Sequence, residues 1–242
     1  MTVLQAKTND RSHYYPAGRL PQPRLLKNGD RLTREEFERR CDAMPNLKMA
    51  ELIEGVVHMG SPVSMDHSGS HGDTMGWLAI YSFATPGVRM YCTPSYRLDM
   101  KNEFQPDVLV RIESGGRSFA GKNNILEGAP ELAAEISVSS ASKDLREKKA
   151  VYQRCGVQEY IVWQVRQKRL DWFELKNGQY QPLLPDENHV IHSRVFPGLR
   201  LRTDALLNRD LAGVAAELQK GLQTEEHAAF VRMLKENRMN PD

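Results

Sequence analysis

Two short apolar segments constrain the fold of this chain most strongly, because each carries an acidic residue at a defined position. The first, PDVLVRI at 106–112, opens on a Pro-Asp step, and proline is tolerated at the first position of a strand. The second, ELAAEISV at 131–138, places Glu135 on the same face of a strand as the small residues Ala133 and Ser137. We therefore predict two strands that each hold one carboxylate on a rigid element.

A helix predicted directly after the second strand carries a lysine on its inward face. In the sequence KDLREKKAVYQRCG, Lys148 belongs to a stripe that otherwise contains Leu145, Val151, Tyr152 and Cys155. A lysine in such a stripe is uncommon. If it converges with the two strand carboxylates, the three groups would suit metal-assisted hydrolysis of a phosphodiester.

The remaining segments predict helices that interleave with strands. Expected helices cover 33–44 with Thr33 as N-cap, 66–84 ended by TPG, and 140–156 between a Ser140 or Ser142 cap and Gly156. Expected strands are ELIEGVVHMG (51–60), VRMYC (88–92), YRLDM (96–100) and QEYIVWQV (158–165), with a loop at 113–129 and an Asn-Gly hairpin at 177–178. This order favours an α/β fold with a mixed central β-sheet flanked by helices.

Length and composition limit the number of domains and the kinds of partner that the chain can have. The 242 residues suffice for one main domain, which we place at 31–205, after a polar arm at 1–30 and before a helical extension at 206–242. A net charge of +2, from 33 basic and 31 acidic residues, gives no global signature of a nucleic-acid binder, so any positive track must be local.

The cysteines and the lack of long apolar stretches indicate the cellular compartment in which we expect the protein. The three cysteines are odd in number and lack metal-ligand spacing, which indicates reduced thiols. The sequence contains neither a signal-like start nor an apolar run approaching the roughly 20 residues of a membrane span. We expect a soluble cytoplasmic protein with no membrane partner.

An ordered set of motifs resembles a known family. The motifs are ELIEG at 51–55, PD at 106–107, PELAAEISVSS at 130–140, the D-x-x-x-K-x-x-x-Y spacing of Asp144, Lys148 and Tyr152, and GVQEY at 156–160. Together they resemble the "putative restriction endonuclease" domain family, which is abundant in cyanobacteria and planctomycetes and belongs to the PD-(D/E)xK nuclease superfamily. The resemblance covers roughly residues 30–205 and implies a restriction-endonuclease-like core there.

The resemblance also implies the site residues. It makes Asp107 the aspartate of the PD step and Glu135 the second acid, and it makes Glu51 an acid that completes the site. The superfamily pattern has a lysine two positions after the second acid, where this chain has Ser137. In this family the lysine is moved onto the following helix, and Lys148 is the residue that matches it.

The function implied by this resemblance is metal-dependent endonuclease activity on DNA phosphodiester bonds. Asp107, Glu135 and Glu51 would hold Mg²⁺, or Mn²⁺ in its place, because these hard cations prefer oxygen ligands. Lys148 would orient the attacking water or stabilise the transition-state charge. Double-strand cleavage by such compact domains usually needs two active sites, so the resemblance and the general preference for symmetric oligomers lead us to expect a homodimer.

Several alternatives remain open at the level of sequence. The fold could belong to a catalytically inactive nucleic-acid-binding or interaction protein, which Ser137 mildly favours, or to a phosphatase with a closed pocket. Glu135 and Lys148 could form only a buried ion pair. His67 and His71 could ligate zinc from one helix face, but they lack the glutamate of HExxH. We therefore predict that these histidines lie near a helix start.

Overall fold

The computed structural model describes residues 24–239, so positions 1–23 of the predicted arm lie outside the described residues. The helices are α1 (Arg34–Asp42), α2 (Met65–Ala84), α3 (Ala141–Lys143), α4 (Lys149–Cys155), α5 (Thr203–Leu207), α6 (Leu211–Leu222) and α7 (Glu225–Met239). None of these described helices is long and apolar enough to cross a membrane.

The strands form two six-stranded sheets and a two-stranded pair. They are β1 (Ala50–Ile53), β2 (Val56–Met59), β3 (Val88–Cys92), β4 (Tyr96–Asp99), β5 (Asn102–Phe104), β6 (Val108–Ile112), β7 (Ser118–Ala120), β8 (Leu126–Gly128), β9 (Leu132–Ser137), β10 (Glu159–Gln164), β11 (Arg169–Lys176), β12 (Gln179–Pro182), β13 (Val190–His192) and β14 (Arg200–Arg202). The main sheet has the order β12-β11-β10-β9-β6-β3, and the second sheet has the order β2-β1-β5-β4-β8-β7.

The main sheet is mixed, as predicted. Strands β9 and β10 are parallel and are joined across the α3–α4 segment, whereas β6 pairs antiparallel with β9. The register aligns Val108 with Ala134, which places Asp107 opposite Glu135 across the two strands. The two acids that the sequence singled out therefore meet at one end of adjacent strands.

The two faces of β9 pack against different parts of the core, which confirms the predicted alternation. Leu132, Ala134 and Ile136 share a buried cluster with Trp77 and other residues of α2. Ala133, on the opposite face, belongs to a second cluster that includes tyrosines of α4 and β10. Because both faces are covered, any polar side chain on this strand must find a partner within the protein.

Several predicted helical and hairpin features are confirmed. Thr33 caps α1 through a bond from the Glu36 N–H at 3.3 Å, and α2 ends at Ala84 before the TPG sequence. The Asn177-Gly178 pair turns β11 into β12 with positive φ at both residues, 52° and 75°. These are the dihedral signs that a tight two-residue hairpin turn requires.

Two expected segments differ from the structure. The single strand predicted at 51–60 is a hairpin of β1 and β2, because Glu54 and Gly55 adopt positive φ of 49° and 76° and reverse the chain. The loop predicted at 113–129 contains β7 and β8, which extend the second sheet. The first expectation was wrong because Glu-Gly lacks the asparagine or aspartate that usually signals this turn.

The second sheet contains a buried glutamate whose charge is poorly compensated. Glu103 on β5 is 8% exposed, and within the described residues its Oε2 accepts no hydrogen bond. Arg97 Nε lies 3.9 Å from Glu103 but is committed to Glu38 at 2.7 Å. Burial, reinforced by the negative charge of Glu38, raises the pKa of Glu103 to about 7.

We expect Glu103→Gln to stabilise the protein increasingly as pH rises. Between about pH 5 and pH 7 the folded protein keeps a proton that the unfolded chain has lost, so wild-type stability falls relative to the variant. At pH 8 the variant should be about 1–3 kcal/mol more stable to urea unfolding, with a smaller difference at pH 5. Glu127→Gln, which alters another partner of Arg97, serves as the control. A difference for Glu103→Gln that is equal at both pH values would contradict this assignment.

Candidate active site

A buried lysine joins two carboxylates from different sheets. Lys148 Nζ lies 2.8 Å from Glu51 Oε1 on β1 and 3.0 Å from Glu135 Oε1 on β9. Tyr152, one turn later, donates its hydroxyl to the same Glu135 oxygen at 3.0 Å. Lys148, Glu135 and Glu51 are only 3%, 4% and 5% exposed. Three of the four predicted site residues therefore share one cluster.

Lys148 lies at the end of a short segment in which the helix is wider than a regular α-helix. Residues Asp144–Lys148 form a π-helical turn between α3 and α4, in which the Lys149 N–H donates to the Asp144 carbonyl. Such turns are rare and are frequently found at functional sites. Ser140 occupies the N-cap position but donates its hydroxyl to Asp144 Oδ2 at 2.6 Å rather than capping the helix. Among the described ion pairs, Lys148 contacts the two glutamates and not Asp144.

The electrostatics of this cluster favour a charged lysine and leave an excess of acid. Burial alone would lower the pKa of Lys148, but the negative charges of Glu135, Glu51 and Asp144 raise it well above its usual value. Burial raises the pKa of Glu135 far above its ordinary range; the charge of Lys148 opposes this shift, and Asp144, Asp107 and Glu51 add to it. One ammonium thus interacts with the three carboxyl groups of Glu135, Glu51 and Asp144, so acidic groups outnumber the basic group in this cluster.

Asp107 directly precedes β6, and both its carboxylate and its main-chain carbonyl make polar contacts. Its Oδ2 accepts the Ile136 N–H of the adjacent strand at 2.7 Å, and its Oδ1 lies 3.1 Å from His67 Nε2. Its main-chain carbonyl accepts from Thr93 N at 3.1 Å and lies 2.8 Å from His71 Nε2. These contacts fix the orientation of the carboxylate before any ligand binds.

The two histidines are functional candidates that the sequence reasoning did not connect to the site. Both lie in the first two turns of α2, as predicted, after the Ser64 N-cap. The hydrogen bond to Asp107 raises the pKa of His67, although partial burial opposes this shift. The i,i+4 spacing on a helix was the available signal, but only the packing of α2 against β6 shows that both rings reach Asp107.

The Lys148 cluster, Asp107 and His67 line one cleft of about 330 Å³. The predicted residues that line it are Glu51, Asp107, Glu135 and Lys148. Lys143, Arg166 and His58 also line it, and Lys143 Nζ lies 3.2 Å from His58 Nδ1. Partial burial and the charge of Lys143 lower the pKa of His58. Two basic side chains, Lys143 and Arg166, therefore border the acidic cluster.

Ser137 occupies the position at which the superfamily pattern has a lysine, and the structure shows which residue supplies the amine instead. Ser137 is fully buried, and its hydroxyl lies 3.2 Å from the Ser140 hydroxyl, so this position supplies no positive charge. The Lys148 amine reaches Glu135 from the following helix instead. The chain therefore contains the acid–acid–lysine set with the lysine on a different element.

Comparison with solved structures identifies the fold. The chain is similar to the crystal structure of a "putative nuclease belonging to DUF820" from Anabaena variabilis, with a TM-score of 0.60 and 16% sequence identity. The match covers 73% of this chain and 98% of that chain. Together with the mixed sheet and flanking helices, this likeness defines a restriction-endonuclease-like α/β fold.

The family follows from the sequence. The model of the Uma2 family, described as "Putative restriction endonuclease", matches residues 34–204. The chain belongs to this family, which confirms the resemblance and supports a nuclease-like function. No curated protein matches the chain.

Proposed function

We propose that this protein is a metal-dependent endonuclease that hydrolyses DNA phosphodiester bonds. The observation that carries the proposal is the buried Lys148 amine held between Glu51 and Glu135 at the floor of an open cleft that also contains Asp107. Burying a charge in this way is costly, and a strongly perturbed ionisable group with a specific charge partner in a cleft marks a candidate functional site.

The donor chemistry fits a divalent cation. Asp107, Glu135 and Glu51 would hold Mg²⁺, or Mn²⁺ in its place, since all three line the cleft with carboxylate oxygens. Burial raises the pKa of Glu135, and the negative charges of Asp144, Asp107 and Glu51 add to this shift. A cation held among these carboxylates would offset that charge. When bound, the ion would supply charge neutralisation at the phosphate oxygens and a lowered pKa for water.

The protein's own residues would perform the remaining tasks. Lys148 presents a fixed ammonium group that can orient the attacking water and offset the charge that develops on the phosphate. Tyr152 donates a hydrogen bond to Glu135 and so fixes the rotamer of that carboxylate. The ion pair that the sequence left as an alternative is thus a component of the proposed site.

The shape and charge of the cleft favour a polymeric substrate. The cleft is open to solvent and carries Lys143 and Arg166, which can contact phosphates on either side of the scissile bond. A closed pocket, which a small-molecule phosphatase would need, is not what these residues form. We further propose that the chain acts as a homodimer, so that two sites can cut both strands.

Cleavage of supercoiled plasmid and of labelled single-stranded DNA tests the proposed function. We expect purified protein to convert the supercoiled plasmid to nicked or linear DNA with Mg²⁺ or Mn²⁺ and to be inactive in EDTA. The single-stranded substrate reports the strand preference. If folded protein cleaves neither substrate with either metal, the catalytically inactive binding protein becomes the better account.

A further inference from the structure

Two histidines and Asp107 form a second cluster next to the carboxylates described above. His67 and His71 lie one turn apart on α2, and their ring centroids are 6.0 Å apart. One ligand atom from each of His67, His71 and Asp107 lies within 4.8 Å of the corresponding atoms of the other two residues. All three donors therefore converge on a space the size of one metal ion.

We propose that His67, His71 and Asp107 bind a transition-metal ion that favours imidazole nitrogen, such as Zn²⁺ or Co²⁺. This site is separate in its chemistry from the Mg²⁺ site proposed for catalysis, although both use the Asp107 carboxylate. Imidazole suits zinc and other late first-row metals, whereas Mg²⁺ selects oxygen ligands. The inference requires no nuclease activity and is tested without it.

The donor distances are close to those of a bound metal. Zinc lies about 2.0–2.2 Å from histidine nitrogen and carboxylate oxygen, which puts two donors of a tetrahedral site about 3.4 Å apart. His67 Nε2 and Asp107 Oδ1 are 3.1 Å apart. Small side-chain rotations of His71 would bring its Nε2 from the Asp107 carbonyl, now at 2.8 Å, to the same ion.

Metal binding would replace hydrogen bonds that the histidines now make. To bind the metal, each ring would present the Nε2 lone pair and carry a single proton on Nδ1, and a second ring proton, where present, would pass to solvent. The positive ion would then take over the attraction that the His67 ring exerts on Asp107. A thiol also lies close by, because Cys92 Sγ is exposed and 3.8 Å from His71 Nε2.

A simpler role for the histidines is to orient Asp107 through hydrogen bonds without binding metal. Both roles predict that changes at His67 or His71 affect Asp107, so nuclease activity alone cannot distinguish them. Direct metal binding can, because only the metal site requires imidazole nitrogen in the coordination sphere. Cobalt is a suitable probe, since its visible absorption reports the ligands and geometry.

The experiment is a Co²⁺ titration of the full chain without Mg²⁺, because Mg²⁺ at the proposed catalytic site would compete for the shared Asp107 carboxylate. We expect the wild type to bind one Co²⁺ per chain with visible absorption bands. His67→Ala and His71→Ala should each weaken binding at least about 10-fold, the scale at which even indirect changes to a metal site act. His192→Ala, which alters a histidine paired with Asp186 outside the cleft, should bind as the wild type does.

Further variants keep the test decisive. Cys92→Ser should retain binding, which excludes capture of cobalt by the thiol alone, and His67→Gln replaces His67→Ala if that variant unfolds. Glu135→Gln should retain Co²⁺ binding even if it loses DNA cleavage, so the two proposals can fail separately. Equal Co²⁺ affinity in the wild type and in both histidine variants would overturn the metal site and leave the histidines as positioning residues for Asp107.

Discussion

Replacing Lys148 with methionine should lower the free energy of unfolding by about 3–5 kcal/mol and abolish DNA cleavage. The substitution keeps much of the side-chain volume but leaves Glu51 and Glu135 facing each other without the ammonium between them. Removing one partner of a buried ion pair has a cost of this size because the remaining charge stays buried. Urea unfolding and plasmid cleavage measure the two effects on the same preparations.

The neighbouring lysine provides a matched control. Lys149→Met changes the next residue, whose amine lies 3.5 Å from the centre of the Phe173 ring and outside the cleft. We expect this variant to lose about 1 kcal/mol or less. The double variant Glu135→Gln with Lys148→Met should be less destabilised than the sum of its single changes, because the two groups interact directly. Equal losses for Lys148→Met and Lys149→Met would contradict the buried ion pair.

Asp107→Asn should reduce the rate of DNA cleavage by about 10²–10³-fold while the protein remains folded. The asparagine carbonyl oxygen can still accept the Ile136 N–H, which preserves the local structure. The loss is one negative charge at the proposed cation site, and single electrostatic groups in active sites have effects of this magnitude. Initial rates of plasmid nicking at saturating Mg²⁺ measure it.

Asp171→Asn is the control for this change. The Asp171 and Asp107 side chains have similar exposure, 11% and 12%, but Asp171 pairs with Arg169 away from the carboxylate cluster. We expect Asp171→Asn to cleave at nearly the wild-type rate. A wild-type rate for Asp107→Asn would remove the aspartate of the PD step from the proposed site.

Much of the scaffold around the site could be predicted from residue patterns. The alternation in ELAAEISV indicated that Glu135 faces away from Leu132 and Ile136, and the structure confirms this arrangement. The inward stripe of the following helix placed Lys148 in the interior, where it meets Glu135. The strand inference succeeded because side-chain direction along a regular strand depends only on spacing. The helix inference succeeded because Tyr152 and Cys155, which continue the stripe, lie in the regular helix α4.

Features that depend on tertiary contacts or on irregular backbone could not be predicted in this way. The π-helical turn at Asp144–Lys148 departs from the period on which the pattern rests. Contact between the histidines of α2 and Asp107 depends on how the helix packs on the sheet. The close approach of Glu51 to Lys148 joins two sheets, and only the family resemblance had pointed to that residue.

The most direct test of the proposed site is Mg²⁺-dependent plasmid cleavage by Glu135→Gln beside Glu131→Gln. Both residues are buried glutamates; Glu135 lies in β9 and Glu131 directly precedes it. Glu131, however, accepts hydrogen bonds from the Ile112 and Arg117 N–H groups and lies outside the cleft. We predict that the wild type and Glu131→Gln cleave with Mg²⁺ and not with EDTA, and that Glu135→Gln is inactive. Cleavage by folded Glu135→Gln at the wild-type rate would contradict the proposed site.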